Sequence, residues 1–375
     1  MKKESKVTPW EVSGDLDYKR IIDEFGIKPI NLRDLPDTLS EDILFRRGVI
    51  FAHRDFGKII SDIKEGNEFA MMTGLMPSGK FHLGHMIVAR QMILYQNFGA
   101  KLYVAVADLE AYSTRQKSLE ELKKIAIDQY LVNYIALGLK PKNCDFYFQS
   151  SRSKNAKKSN AYYRLASELS RYATFNEFKA VYGEISPAKM NSSLIQSSDM
   201  LHPQLPEFEG NPLNVVIPVG IDQDPHIRIA RDIAKRHKDY KFNQISSTYH
   251  TFLPSLKGGG KMSSSDENSF IAMTDTLSEV KNKINKYAFS GGRDTLEEHR
   301  KFGGNPDIDV SFQYLKYFFE DNDKKLEKIY EGYKSGSLTT GELKEYTIDK
   351  INDFLKKHQE KRKKAESQVS KFVSF

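Results

Sequence analysis

Short runs of consecutive apolar residues alternate with amphipathic stretches through the first two-thirds of the chain. Phe69-Ala70-Met71-Met72-Thr73 has the length and apolar continuity of a strand buried on both faces. After a Gly/Pro/Ser loop, residues 85–98 predict a largely apolar helix closed by Gly99 at a C-cap position. Leu102-Tyr103-Val104-Ala105-Val106-Ala107 repeats the strand pattern, Ser118-Leu119-Glu120-Glu121 is a capping box opening a helix that ends near Gly138, and Phe146-Tyr147-Phe148 is the next strand. Residues 150–213 interrupt the alternation and predict a helical insertion. Val215-Val216-Ile217-Pro218-Val219 resumes it, with Asp224-Pro225 as N-cap and first residue of the following helix, and Phe270-Ile271-Ala272-Met273 predicts a further strand. Alternation at this spacing predicts an α/β fold with a doubly wound, Rossmann-like parallel sheet, whose ligands sit at the carboxyl ends of the strands. From about 275 the strand signals stop, and residues 277–287, 311–319, 326–333 and 340–364 predict helices. The expected organisation is an N-terminal segment over 1–60 packed on a sheet domain over 61–274, with its insertion at about 150–213, and a C-terminal α-helical domain over 275–375.

Composition narrows the partners. Lys and Arg number 57 against 50 Asp and Glu, a net charge of +7 that favours an anionic partner without identifying one. Cys144 is the single cysteine, which excludes an intrachain disulfide and a Cys-based zinc cluster and points to a reducing compartment with no structural metal. The basic start is followed by Pro9-Trp10-Glu11 instead of an apolar signal core, and no run approaches the roughly 18 apolar residues of a membrane span, so a cytoplasmic protein is expected. There is no repeat of the kind that builds solenoids or propellers.

Two constellations carry chemistry. Pro77-Ser78-Gly79-Lys80-Phe81-His82-Leu83-Gly84-His85 lies between a strand and a helix, where free N–H groups and the positive end of the helix dipole favour an anion. Two imidazoles there can add hydrogen bonds to a polyphosphate, and Gly84 lets a flat base lie on backbone. Alone, the pattern fits a His-x-x-His metal pair or surface histidines as well. The second is Lys257-Gly258-Gly259-Gly260-Lys261-Met262-Ser263-Ser264-Ser265-Asp266, whose glycines predict a mobile loop and whose lysine and hydroxyls suit closing over phosphates. It is not a Walker A loop, because Met262 follows the Gly-Lys pair and Ser255 stands where the first glycine belongs. A solvated linker explains it alone; its pairing with the histidine motif across one α/β domain favours a phosphate cleft.

His82-Leu83-Gly84-His85 and Lys261-Met262-Ser263-Ser264-Ser265 resemble the two signature motifs of class I aminoacyl-tRNA synthetases. Gly220-Ile221-Asp222-Gln223-Asp224-Pro225-His226, the run Ala288-Phe289-Ser290-Gly291-Gly292-Arg293-Asp294-Thr295, the segment Glu297-Glu298-His299-Arg300-Lys301-Phe302-Gly303-Gly304, and Pro9-Trp10-Glu11-Val12 resemble the tryptophanyl-tRNA synthetases of archaeal and eukaryotic type. The resemblance covers nearly the whole chain. It implies ATP-dependent charging of tRNA(Trp) with L-tryptophan through an adenylate, with Mg2+ arriving on ATP and no protein metal site, and a homodimer. It implies ATP contacts at Gly74, Pro77, Lys80, His82, Gly84, His85 and Lys261, with Ser263, Ser264 and Ser265 joining Lys261 on the pyrophosphate. Tryptophan contacts are implied at Met72, Glu110, Gln196, Asp199 and Gln223, and tRNA contacts at Phe289, Arg293 and Asp294 in a helical anticodon-binding domain.

The chain departs from the eukaryotic members at Met72 and Ala105, where they carry a tyrosine and a glutamine. Another acceptor for the indole N–H is then required, and Asp199 is the candidate, because related enzymes place a side-chain-reading aspartate in a similar segment. Its carboxylate accepts from indole or phenol alike, so a tyrosine enzyme is an alternative, as is an RNA-binding paralogue without catalysis. The basic stretches 154–158 and 356–364 read as solvated faces.

Overall fold

A computed structural model describes residues 17–262 and 266–373, together with the backbone of the antiparallel two-residue strands Lys6–Val7 and Val12–Ser13. Pro9, Trp10 and Glu11 of the N-terminal motif and the three serines Ser263, Ser264 and Ser265 lie outside the described residues.

The centre is a seven-stranded sheet in the order Lys28–Pro29, Ile50–Arg54, Ser246–His250, Asn214–Gly220, Phe69–Leu75, Lys101–Val106, Cys144–Phe148. The last five strands in that order are mutually parallel, and the first two join antiparallel at one edge. Among the parallel strands the chain starts in the middle, at Phe69–Leu75, runs outward on one side, then crosses to Asn214–Gly220 on the other. That reversal opens a crevice at the carboxyl ends, the position where open α/β sheets bind ligands.

Alternation of side chains sorts the core into two layers. Met71, Leu102, Val104, Phe146 and Val216 face one way, into a cluster continuous with Ile284, Phe312 and Leu355 of the C-terminal helices. Ala70, Met72, Tyr103, Ala105, Tyr147 and Val215 face the other way, under the helices of the insertion. Those helices, Ala156–Leu169, Phe175–Tyr182 and Pro187–Leu201, occupy the predicted 150–213 interruption. The helices Leu277–Tyr287, Val310–Tyr314, Asp323–Ser335 and Thr340–Glu366 likewise match the expected C-terminal run.

Several elements differ from expectation. Phe270-Ile271-Ala272-Met273 does not join the sheet. It pairs with the histidine motif, where Leu83 N–H donates to the Ile271 carbonyl at 3.1 Å and Met273 N–H to the Phe81 carbonyl at 2.9 Å. The helix Asp224–Arg236 starts one residue earlier than predicted. Gln223 stands at the cap, and the Asp224 carboxylate pairs with Arg54 at 2.7 Å instead of capping backbone. The strand Ser246–His250 carries no hydrophobic signal, yet all five residues are buried. Its polar side chains are satisfied laterally: Ser246 Oγ donates to the Asp55 carbonyl, Ser247 Oγ to the Tyr249 hydroxyl, and Thr248 Oγ1 to Gln91. The helix Leu296–Phe302, opened by a Thr295–Glu298 capping box, was also not anticipated.

Candidate functional site

The histidine motif follows the strand Phe69–Leu75 and enters the helix Met86–Asn97 through a single 3-10 turn, Leu83–His85. His82 caps that turn. Its Nδ1 accepts from Gly84 N–H at 3.2 Å, and the His85 Nδ1 accepts in return from His82 N–H at 3.1 Å. An imidazole nitrogen that accepts carries no proton, so each ring is fixed as the tautomer with hydrogen on Nε2. The rings stack with centroids 3.8 Å apart. Burial pulls the His82 pKa well below its ordinary value, helped by His85; burial and the Lys261 charge lower His85 to about 4. At neutral pH both are therefore uncharged donors. Gly84 has a local reason as well: a Cβ there would lie 3.0 Å from His82 Cε1 and 3.4 Å from Met262 Sδ. Pro77 is buried, Gly74 is exposed on its strand, and Lys80 pairs with Glu267 at 2.9 Å, bridging the two motifs at the mouth of the cleft.

Gly258, Gly259 and Gly260 have φ of 74, 57 and 59°, a left-handed run that costs an ordinary L-residue roughly 1–2 kcal/mol per position. The turn is fastened at several points. Lys257 pairs with Asp266 at 2.6 Å, and the Phe289 ring covers Gly258 so closely that a Cβ would meet it at 2.9 Å. Phe289 N–H also donates to the Leu256 carbonyl at 2.7 Å. Lys261 Nζ lies 2.8 Å from Asp222 Oδ2, a carboxylate in the turn after Asn214–Gly220 that is itself 4% exposed. Gln223 Nε2 donates to the same oxygen at 3.3 Å, so the candidate amino-acid ligand Gln223 adjoins the candidate phosphate ligand Lys261.

The amino-acid candidates divide between two places. Glu110 lies in the first turn of the helix Asp108–Thr114, and Gln196 lies within the helix Pro187–Leu201. Both line a cavity of about 100 Å³ with Tyr182, Ser193, Lys189 and His226. Burial, then the Asp199 charge, raises the Glu110 pKa. The Tyr182 hydroxyl bridges Ser193 Oγ at 2.8 Å and His226 Nδ1 at 2.6 Å. Asp199 is buried on the sheet face that holds Met72 and Ala105. Its Oδ1 accepts from the Tyr147 and Tyr162 hydroxyls and its Oδ2 from Gln149 Nε2, each at 2.7 Å. Behind it the Arg152 guanidinium lies 3.8 Å from the Tyr147 ring centre and donates to Asp145 and His202. Burial lifts Asp199 to about 6, against the pull of its three donors and Arg152. Sequence reasoning missed Tyr147, Gln149 and Arg152, at and just beyond the end of the strand Cys144–Phe148, and Tyr162 on the helix Ala156–Leu169, which together form no known motif.

Arg293 and Asp294 are exposed between Gly292 and the helix Leu296–Phe302, and Arg293 Nε donates to the Gly303 carbonyl at 3.0 Å. Phe289, grouped with them from the sequence, sits instead on the glycine loop at Gly258, half-exposed.

This arrangement has relatives. Residues 64–356 match the family described as tRNA synthetases class I (W and Y). The chain is 43% identical over 372 residues to the tryptophan–tRNA ligase of Methanocaldococcus jannaschii, covering 98% of each chain, and 40% identical over 373 residues to that of Aeropyrum pernix, again covering 98% of each. It superposes with a TM-score of 0.88 and 41% identity on the crystal structure of tryptophanyl-tRNA synthetase from Aeropyrum pernix K1, covering 96% of each. With both signature motifs facing one crevice and relatives matched from end to end, the chain belongs to the class I tRNA synthetases of the tryptophan and tyrosine family.

Proposed function

We propose that the crevice catalyses ATP-dependent attachment of L-tryptophan to tRNA(Trp). A tryptophan carboxylate oxygen bonds to the α-phosphorus of ATP as the bond to the β-phosphate breaks, pyrophosphate leaves, and a hydroxyl of the tRNA's terminal adenosine then takes the acyl group with release of AMP. The tryptophan assignment rests on one observation, the end-to-end match to tryptophan–tRNA ligases at about 40% identity.

The residues divide the work by charge. His82 and His85 are neutral, so their Nε2–H groups bond phosphate oxygens without adding charge. The cation is Lys261, which exchanges Asp222 for the phosphates as negative charge develops on the leaving pyrophosphate. Ser263, Ser264 and Ser265 act beside it, Gly74, Pro77 and Gly84 lie along the adenosine, Lys80 meets outer phosphate oxygens, and ATP brings Mg2+. Glu110, Gln196 and Gln223 hold the ammonium and carboxylate ends of tryptophan, with its side chain directed to Met72 and Asp199. A carboxylate offers about four lone-pair positions. Three on Asp199 are taken, and the fourth receives the indole N–H. Arg293 and Asp294 contact the anticodon, where an acidic group can accept from cytosine N4. The 275–375 helices form the tRNA-binding part of a cytoplasmic homodimer. No helix among the described residues is long and apolar enough to cross a membrane.

ATP–pyrophosphate exchange with single amino acids tests the assignment. Exchange with tryptophan alone is expected. Exchange with tyrosine alone would make this a tyrosine enzyme, and none with any amino acid would make it a non-catalytic relative.

A further inference from the structure

His250 is the last residue of the strand Ser246–His250, at the carboxyl edge of the sheet, in register with Gly220. Two residues beyond Gly220 stands Asp222, which holds Lys261. The Phe252 ring lies 6.5 Å from that of His250 and 5.7 Å from Lys261 Nζ, so the imidazole is part of the wall on which Lys261 rests. It is buried, and its one described hydrogen bond runs to Gln91, on the helix Met86–Asn97 that the histidine motif opens. The orientation of Gln91 is fixed: its Oε1 accepts from Thr248 Oγ1 at 3.2 Å, while its Nε2 donates to the Ile87 carbonyl at 3.3 Å. Only the amide N–H group therefore faces His250 Nδ1, 3.5 Å away. The imidazole nitrogen must accept, and the ring proton is placed on Nε2. His82 and His85 are held in the same tautomer by backbone N–H groups.

Three buried imidazoles are thus locked with Nδ1 satisfied and Nε2–H as the remaining donor. Among the described residues no acceptor takes the His250 Nε2–H. Although the residue is buried, Nε2 itself is not closed off from solvent, so the N–H is open to a ligand. The Lys261 ammonium acts on both His85 and His250, lowering each further after burial and keeping them neutral. His250 thus stands at the same carboxyl edge of the sheet as the Lys261–Asp222 pair.

We propose that His250 is a third imidazole of the nucleotide site, donating its Nε2–H to a phosphate oxygen of ATP, with Gln91 as the positioning residue that sets its tautomer. This rests on the reading that the triphosphate binds at this edge; exchange by the wild-type enzyme tests the activity by itself.

The decisive comparison is His250→Asn with His250→Gln. Asparagine reproduces the Nδ1 side of the ring only, whereas glutamine reaches with an N–H group toward the Nε2 position. His250→Asn is expected to raise the ATP KM in pyrophosphate exchange roughly tenfold, the worth of one hydrogen bond to a charged group, with the tryptophan KM within twofold. His250→Gln is expected to restore most of the loss. An unchanged ATP KM in folded His250→Asn, or a glutamine variant no better than asparagine, would overturn the proposal. Should both variants fail to fold, long-range proton–nitrogen spectra of the histidine-labelled wild type decide. On adding a magnesium-bound, non-hydrolysable ATP analogue, the Nε2 resonance of a third ring beside those of His82 and His85 must move. Movement of two rings only ends the proposal.

Discussion

In the half of the cleft proposed to take the triphosphate, the imidazoles and the glycine turn are set by partners a few residues away in sequence, while Lys261 and Lys80 rest on the remote carboxylates of Asp222 and Glu267. His82 and Gly84, His85 and His82, Lys257 and Asp266 are all local pairs, and three adjacent glycines supply the left-handed turn. On the opposite sheet face, the half proposed to take the amino-acid side chain is oriented by remote partners: Asp199 meets Tyr147, Tyr162 and Gln149 across 37 to 52 residues of chain. In the proposed reaction the first half exchanges partners, Lys261 leaving Asp222 for the phosphates. The second is nearly saturated before any ligand arrives. The difference fits the chemistry: phosphate charge develops and departs during the reaction, whereas side-chain selection needs a fixed acceptor of unvarying geometry.

Breaking the movable half has the largest expected effect. Lys261→Ala should lower single-turnover adenylate formation by roughly two to three orders of magnitude with little change in thermal stability, because the lysine is partly exposed and its charge acts as pyrophosphate forms. A rate within threefold of wild type would remove Lys261 from the chemistry.

Breaking the fixed half should act on tryptophan. Asp199→Ala strands three buried donors, and kcat/KM for tryptophan is expected to fall roughly 10- to 100-fold at unchanged ATP KM, the worth of about 1–3 kcal/mol. A pH series sharpens the point. The folded pKa of about 6 lies above the ordinary carboxylate value, so ionisation of Asp199 opposes folding above pH 6, and that cost is relieved as pH falls from 6 toward 4. Over the same window protonation turns an acceptor into a donor. The tryptophan KM should therefore rise below pH 6 even as Asp199 ceases to oppose folding. His85, near 4, adds no titration above pH 5. A tryptophan KM flat from pH 7 to 5 would disprove the ionised-acceptor role.

Smaller effects separate the helical region from the cleft. Alanine at Arg293 or Asp294 should reduce tRNA charging about tenfold while leaving pyrophosphate exchange near normal, as expected for loss of one base or phosphate contact. Equal loss in both assays would place these residues in activation. Phe289→Ala should behave differently from its neighbours. By uncovering Gly258 it is expected to slow exchange itself roughly threefold, a loop-gating effect measurable in the same assay. Exchange at the wild-type rate would confine Phe289 to the tRNA.

Where local chemistry decides conformation, the sequence could be read directly. The capping box at Ser118 and the strand Phe69–Leu75 with its glycine-terminated helix were legible because hydrophobic period, cap and turn residues act within about ten residues, whereas both signature motifs were legible through a family resemblance. The strand Ser246–His250 was hidden because its burial depends on partners at Asp55, Gln91 and Asp224, which no local pattern reveals. The apolar run at Phe270 looked like a sheet strand, but its backbone pairs with the histidine motif.

The sequence by itself determined the α/β class and most of the strand–helix alternation, since period, capping and turn chemistry are properties of neighbouring residues, while its two signature motifs were readable through their resemblance to a known family. Only the tertiary structure decided what those groups do at rest. It paired Lys261 with Asp222, turned Gln91 toward His250, and surrounded Asp199 with two tyrosines and a glutamine. These are contacts between segments brought together by burial of the two apolar layers, and the charge state and tautomer of each group follow from that burial.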